Sequence, residues 1–244
     1  MQGYHDGFGS NVSPADSAPV PMTEGLDNRR PLKSRDTGWA RGAAAALART
    51  GVSPDAVSAG AVVFAAAGCA AFVAAGTAHG LARIALLIAA AATIQIRLIC
   101  NLLDGMVAVE HGRGGTAGPI WNELPDRVAD ALFLVGAGYG AARAGVGWAS
   151  EAGWLAAVLA ILTAYVRELG RGLGQPADFR GPGAKPHRMA VLTVLAIVSA
   201  LAEPRWIASG VTVASGLAVI CGLATITVAR RTLTLAARLA APKG

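Results

Sequence analysis

The run Asn101-Leu102-Leu103-Asp104-Gly105-Met106-Val107-Ala108 leads through a glycine-rich turn to Gly118-Pro119-Ile120-Trp121-Asn122-Glu123-Leu124-Pro125-Asp126. Strongly apolar segments flank this polar stretch on both sides. A carboxylate beside a long apolar helix is costly to bury unless it is paired or holds a cation, so ionisable residues in that setting mark a functional site. Glu110 to Gly118 contains four glycines, which lets two helices return as an antiparallel pair with their polar faces opposed. The stretch therefore predicts two membrane helices joined at a polar, ligand-facing end.

Working outward, the 244-residue chain is 54% hydrophobic and only 15% charged, too apolar for an ordinary soluble domain. Apolar runs long enough to span a bilayer are read at 56–78, 81–109, 127–146, 153–173, 187–203 and 206–229. The fold class expected is all-α: a polytopic membrane protein with six transmembrane helices and an N-terminal juxtamembrane amphipathic helix. Residues 1–32 are read as a disordered cytoplasmic tail without the pattern of a signal peptide. Residues 33–50 form the amphipathic helix, with Trp39 and Leu47 toward lipid and Lys33, Arg35, Arg41 and Arg49 toward headgroups, or else a solvated linker helix. The membrane domain runs over 51–236 and a C-terminal cytoplasmic tail over 237–244.

Basic residues set the orientation. They crowd the N-terminal region, the 167–188 loop (Arg167, Arg171, Arg180, Lys185, Arg188) and the C-terminus (Arg230, Arg231, Arg238, Lys243), while the opposite loops hold only Arg83, Arg143 and Arg205. Both termini and the acidic stretch are accordingly expected in the cytoplasm, with the cell (inner) membrane as the site. The net charge of +6 follows from this asymmetry and from attraction to anionic lipid, so no nucleic-acid partner is inferred. Cys69, Cys100 and Cys221 are too scattered for a disulfide framework or a zinc site.

Residues three and four apart share a helix face. Asn101 and Asp104 therefore project together, with Arg97 one turn deeper, and Asn122, Asp126 and Asp130 form a second stripe. Facing stripes of oxygen ligands suit a hard cation: Mg²⁺ is usually held by one or two carboxylates together with substrate phosphates. One ion or a pair could clamp a pyrophosphate and leave a carboxylate free as a base. The plainer reading is that these residues cap helix ends, Asn122 and Pro125 being ordinary helix-start residues.

The cluster resembles the signature of the CDP-alcohol phosphotransferase family, Asp-x2-Asp-Gly-x2-Ala-Arg-x8-Gly-x3-Asp-x3-Asp. Asp104, Gly105, Ala108, Gly118 and Asp126 fall on their motif positions without a gap. Asn101 and Asn122 stand at the first and third aspartate positions and Val109 replaces the arginine. A second register, with a longer loop, would make Asp126 and Asp130 the last two aspartates. Pro54-Asp55-Ala56-Val57-Ser58, Arg167-Glu168 and Gly183-Ala184-Lys185 are similar to further family segments.

The resemblance implies an enzyme of phospholipid biosynthesis that transfers a substituted phosphate from a CDP-linked lipid donor, such as CDP-diacylglycerol, to an alcohol acceptor with release of CMP. It further implies Mg²⁺ (or Mn²⁺) held by Asn101, Asp104, Asn122, Asp126 and Asp130. Gly105, Ala108 and Gly118 would leave room for the nucleotide, and Asp126 would serve as the base. Arg167 and Lys185 would grip phosphate, with Lys185, His187 and Arg188 reaching that of the acceptor. Two rivals stand beside it: an intramembrane prenyltransferase, and a catalytically silent relative or small transporter. The glycine and alanine content suits close helix packing and equally a homodimer.

Overall fold

A computed structural model describes residues 37–110, 118–203 and 207–241, and within its helices the side chains of Ala108, Val109, Glu110, Pro119 and Asn122 lie outside the described set. The tail expected at 1–32 falls outside it as well, as do residues 242–244 of the tail expected over 237–244. The description that follows concerns the unit Leu32–Gly244.

Among the described residues seven helices follow one another: α1 (Gly38–Arg49), α2 (Pro54–Ala75), α3 (Gly80–Glu110), α4 (Gly118–Arg143), α5 (Ala149–Gly172), α6 (Lys185–Ala202) and α7 (Val211–Ala240). The starts are chemically marked. Ser53 caps α2 by accepting from the Ala56 N–H at 3.1 Å, with Pro54 as its first residue, where a missing N–H costs nothing. The protein is thus an all-α, polytopic membrane fold. Five helices, α2, α3, α5, α6 and α7, are long and apolar enough to cross a bilayer, against the six spans expected. The sixth candidate, α4, is 26 residues long but carries Glu123, Asp126, Arg127 and Asp130 in its first half. It also starts well before the expected residue 127, so Pro125 lies inside the helix and not at its beginning.

α2 packs against both α3 and α4, α4 against α5, α5 against α7, α7 against α6 and α6 against α3, so six helices close a ring, and α4 also meets α7 across it. α1 lies outside the ring against α3, burying Ala40, Ala44 and Ala48 on Leu102, Met106 and Val107. Because the chain runs up and down, the beginnings of α2, α4 and α6 and the ends of α3, α5 and α7 share one end of the bundle.

The helices approach closely because small residues line their contacts. A Cβ on Gly140 would come within 2.2 Å of the Phe72 carbonyl oxygen and one on Gly136 within 2.6 Å of Cys69 Cα, so α2 and α4 meet backbone to backbone. Alanine dominates the buried core, while large apolar side chains such as Leu81, Val63 and Leu201 point outward. In water that distribution would be unfavourable, whereas lipid tails solvate the outer side chains as well as a core would.

Candidate active site

At the polar end of the ring the sequence-predicted acidic residues come together, and each meets a specific partner. Arg97, fully buried on α3, reaches across to α4. Its Nη2 donates to the Asp126 backbone carbonyl and to Asp126 Oδ1, both at 3.0 Å, and lies 2.8 Å from Asp130 Oδ1. Lys185, the first residue of α6, donates from Nζ to Asp126 Oδ2. Asn101 completes this contact: with its amide oriented to suit both neighbours, it donates to Asp126 Oδ1 at 2.7 Å and accepts from Lys185 Nζ at 2.9 Å. Asp130 sits one turn deeper, where Arg188 Nη2 donates to Oδ2 at 2.9 Å.

Such pairing is what the apolar setting demands. Removing two charges from water costs several kcal/mol per ion unless their attraction and further hydrogen bonds offset it. Arg188 meets that requirement by also donating to Thr163 Oγ1 at 3.2 Å and to the Gly183 carbonyl. Below it Arg231, on α7, donates to the backbone carbonyls of Thr163 and Arg180. The Gly183 N–H donates to Thr227 Oγ1 at 2.8 Å, which docks the 173–184 loop on α7.

Asp104 stands differently. It is 3% exposed, accepts from the Ser58 hydroxyl through Oδ2, and leaves Oδ1 buried without a hydrogen-bond partner. Buried polar atoms are rarely left unmet, and an orphan calls for a missing ion or water. The orphan oxygen, together with the amide and carboxylate of Asn101 and Asp126 on the facing helix ends, is the hard donor chemistry that Mg²⁺ or Mn²⁺ takes. These residues fit a divalent cation. They fit it sparingly, since among the described residues no three carboxylate, imidazole or thiolate side chains gather at one point.

The remaining predicted residues occupy the rim. Arg167 donates to Glu123 across the gap between α5 and α4, pairs with Glu168 at 2.7 Å, and lies 5.2 Å over the Phe179 ring. Gly118 opens α4, and a Cβ there would meet nothing within 4 Å, so the chain itself does not require glycine at that point. Gly105 is half-buried on α3, and His187 is exposed beside buried Arg188. The side chains of Ala108 and Asn122 lie outside the described residues. Sequence reasoning missed Ser58, Thr163 and Thr227 as members of the network. The signal for Ser58 was present in the segment 54–58, one turn inside a capped helix start.

No family model matches the sequence, and comparison with curated proteins finds no match. Solved structures do match. The phosphatidylinositol phosphate synthase of Mycobacterium tuberculosis, in its complex with CDP-DAG, superposes with a TM-score of 0.67 at 21% identity, over 80% of this chain and 92% of that one. The same enzyme in complex with manganese and citrate gives 0.66 at 21% identity, over 80% and 88%. Its apo form gives 0.61 at 22%, over 82% and 95%. The chain shares the fold of that synthase over most of its length.

Proposed function

We propose that the protein is a CDP-alcohol phosphatidyltransferase of phospholipid synthesis. It would move a substituted phosphate from a CDP-linked lipid, CDP-diacylglycerol foremost, to an alcohol acceptor and release CMP. One observation carries the reading: Asn101 on α3 and Asp126 on α4 meet Lys185, with Asp104 at the same end of α3 held by Ser58, all on motif positions or beside them, in a bundle whose fold is that of a phosphatidylinositol phosphate synthase. The solved synthase binds CDP-DAG in one complex and manganese in another.

In the mechanism Asp104 would hold Mg²⁺ or Mn²⁺ together with substrate phosphates and waters, with Asn101, Asp126 and, by its motif position, Asn122 as the polar groups that surround it. When bound, that ion would neutralise the charge of the donor pyrophosphate. Phosphoryl transfer depends mainly on positioning and charge neutralisation, and the chain contributes to both. Lys185 and Arg97 place fixed positive charge on either side of Asp126. Arg167, held by Glu123, presents a guanidinium at the rim where phosphate recognition wants planar donors. Asp126 would take the proton of the attacking hydroxyl once Lys185 swings from Oδ2 to the incoming phosphate. Arg188 would act from below through Asp130, and exposed His187 toward the acceptor. The clustering of basic residues at this end of the bundle supports a cytoplasmic active site in the inner membrane. Gly60 and Gly222 face open space, which suits a second copy of the chain.

The test is CMP release by purified protein from CDP-diacylglycerol with a panel of alcohols, in Mg²⁺, in Mn²⁺ and after chelation. Metal-dependent release with one acceptor supports the proposal, and silence with every acceptor sinks it. A second reading, a catalytically silent relative, is favoured by the fact that Asp126 and Asp130 are already neutralised by the protein's own cations. It predicts no metal-dependent rise in Tm with CDP.

A further inference from the structure

We infer that the Lys185 ammonium is a built-in cation that stands in for a second divalent ion, so that the site binds one Mg²⁺ or Mn²⁺. The inference rests on the phosphotransferase reading and specifies its metal site. Among the described residues two ions would have to share the oxygens of Asn101, Asp104, Asp126 and Asp130, and most of these are already taken. Asp126 gives Oδ1 to Arg97 and Asn101 and Oδ2 to Lys185. Asn101 turns its NH2 to Asp126 and its oxygen to Lys185. Asp130 accepts from Arg188 through Oδ2 and faces Arg97 Nη2 with Oδ1 at 2.8 Å, so among these residues Asp104 Oδ1 is the buried oxygen with neither a hydrogen bond nor a cation beside it. One carboxylate with substrate phosphates and waters is a complete site for a single Mg²⁺.

Charge leads to the same count. Asp104, Asp126 and Asp130 are balanced by Arg97, Arg188 and Lys185, while Arg127, 3.8 Å from Asp126 Oδ2, and Arg167 are both engaged by Glu123, with Glu168 beside Arg167. A pyrophosphate diester brings two negative charges, which a single divalent ion offsets. A second ion would leave the buried site with an uncompensated excess, a costly state at low dielectric. The position of Lys185 also argues for a role in the site. It is the first residue of α6, where the helix dipole disfavours a cation, so its placement does nothing for the helix and serves the carboxylate opposite.

The experiment counts ions on the full-length protein in detergent, titrating Mn²⁺ and following free Mn²⁺ by electron paramagnetic resonance. Wild type is expected to bind one Mn²⁺ per chain, Lys185→Arg one, and Lys185→Met two. Two bound ions in wild type, or one in both wild type and Lys185→Met, overturn the inference while leaving the phosphotransferase reading to its own CMP assay. No bound Mn²⁺ together with no CMP release overturns both. If Lys185→Met does not fold, the counts for wild type and Lys185→Arg still decide between one ion and two.

Discussion

Arg188 Nη2 lies 2.9 Å from Asp130 Oδ2, with both side chains shut off from solvent. This pair locks α6 to α4 directly beneath the contact between Lys185 and Asp126, so the floor of the site and its chemistry share one set of helices. Breaking a buried pair by removing one partner costs about 3–5 kcal/mol, because the other charge is left uncompensated. Asp130→Ala should therefore lower Tm sharply in detergent, and the double variant Asp130→Ala/Arg188→Met should recover part of the loss. A double variant no more stable than the single one would show that the pair does not act as a unit.

Asp126 accepts from α3 and α6 at once and is the residue proposed to take the proton. Asp126→Asn keeps its size and its contact with Asn101, and removes the basic oxygen. CMP release should fall by about 10²–10⁴-fold, the usual contribution of a positioned base. Asn in place of the base with undiminished turnover would remove Asp126 from that role.

Gly183 and Gly222 separate packing from composition. A Cβ on Gly183 would come within 2.5 Å of Ala224 Cα, N and the Leu223 carbonyl carbon, whereas one on Gly222 would meet nothing within 4 Å. Gly183→Ala should destabilise by about 1–3 kcal/mol through overpacking and loosen the loop that ends at Lys185. Gly222→Ala should leave stability within about half a kcal/mol of wild type. Equal melting of the two variants would contradict the close contact of loop and helix.

Asp178, in the loop between α5 and α6, accepts from the Arg180 side chain at 2.9 and 3.0 Å and from its backbone N–H at 2.9 Å. The Arg180 hydrogen bonds hold its carboxyl down to about 2. A carboxyl depressed on folding contributes stability that is present above its unfolded value and is lost as pH falls through the folded one. The contribution should thus fade between about pH 4 and pH 2 and be absent in Asp178→Asn, whose thermal melts should lose that part of the acid dependence. Arg180 is well exposed, so screening keeps the effect small.

The helices and the site were legible in the sequence to different degrees. Apolar length alone located α2, α3, α5 and α6 to within a few residues. It misjudged α4, where Pro125 and the charges of Glu123, Asp126 and Arg127 read as a helix start although the helix begins at Gly118. It also stopped short on α7, which continues to Ala240 because Leu235 packs over Gly170 and Arg231 is anchored from within the bundle. Helical spacing grouped Asn101 with Asp104, and Asp126 with Asp130. What spacing could not supply was the pairing between helices: that Arg97 would serve both Asp126 and Asp130, that Asp104 would turn to Ser58, and that Lys185 would stand between Asn101 and Asp126. Those contacts depend on the order of helices around the ring, which is set by backbone approach at glycine and alanine and leaves no periodic trace.

The closure of the ring by α6 onto α3 carries a consequence for biogenesis. A chain made from its N-terminus presents Asp126 and Asp130 to the membrane before Lys185 and Arg188 exist, and of their partners on α3 and α6 only Arg97 and Asn101, both on α3, have already arrived. For that interval a single buried guanidinium, with Nη1 and Nε still unmatched in the finished protein, has to chaperone both carboxylates of the incoming helix. The acidic half of the site is thus met first by α3 alone, and the last two helices to emerge complete it.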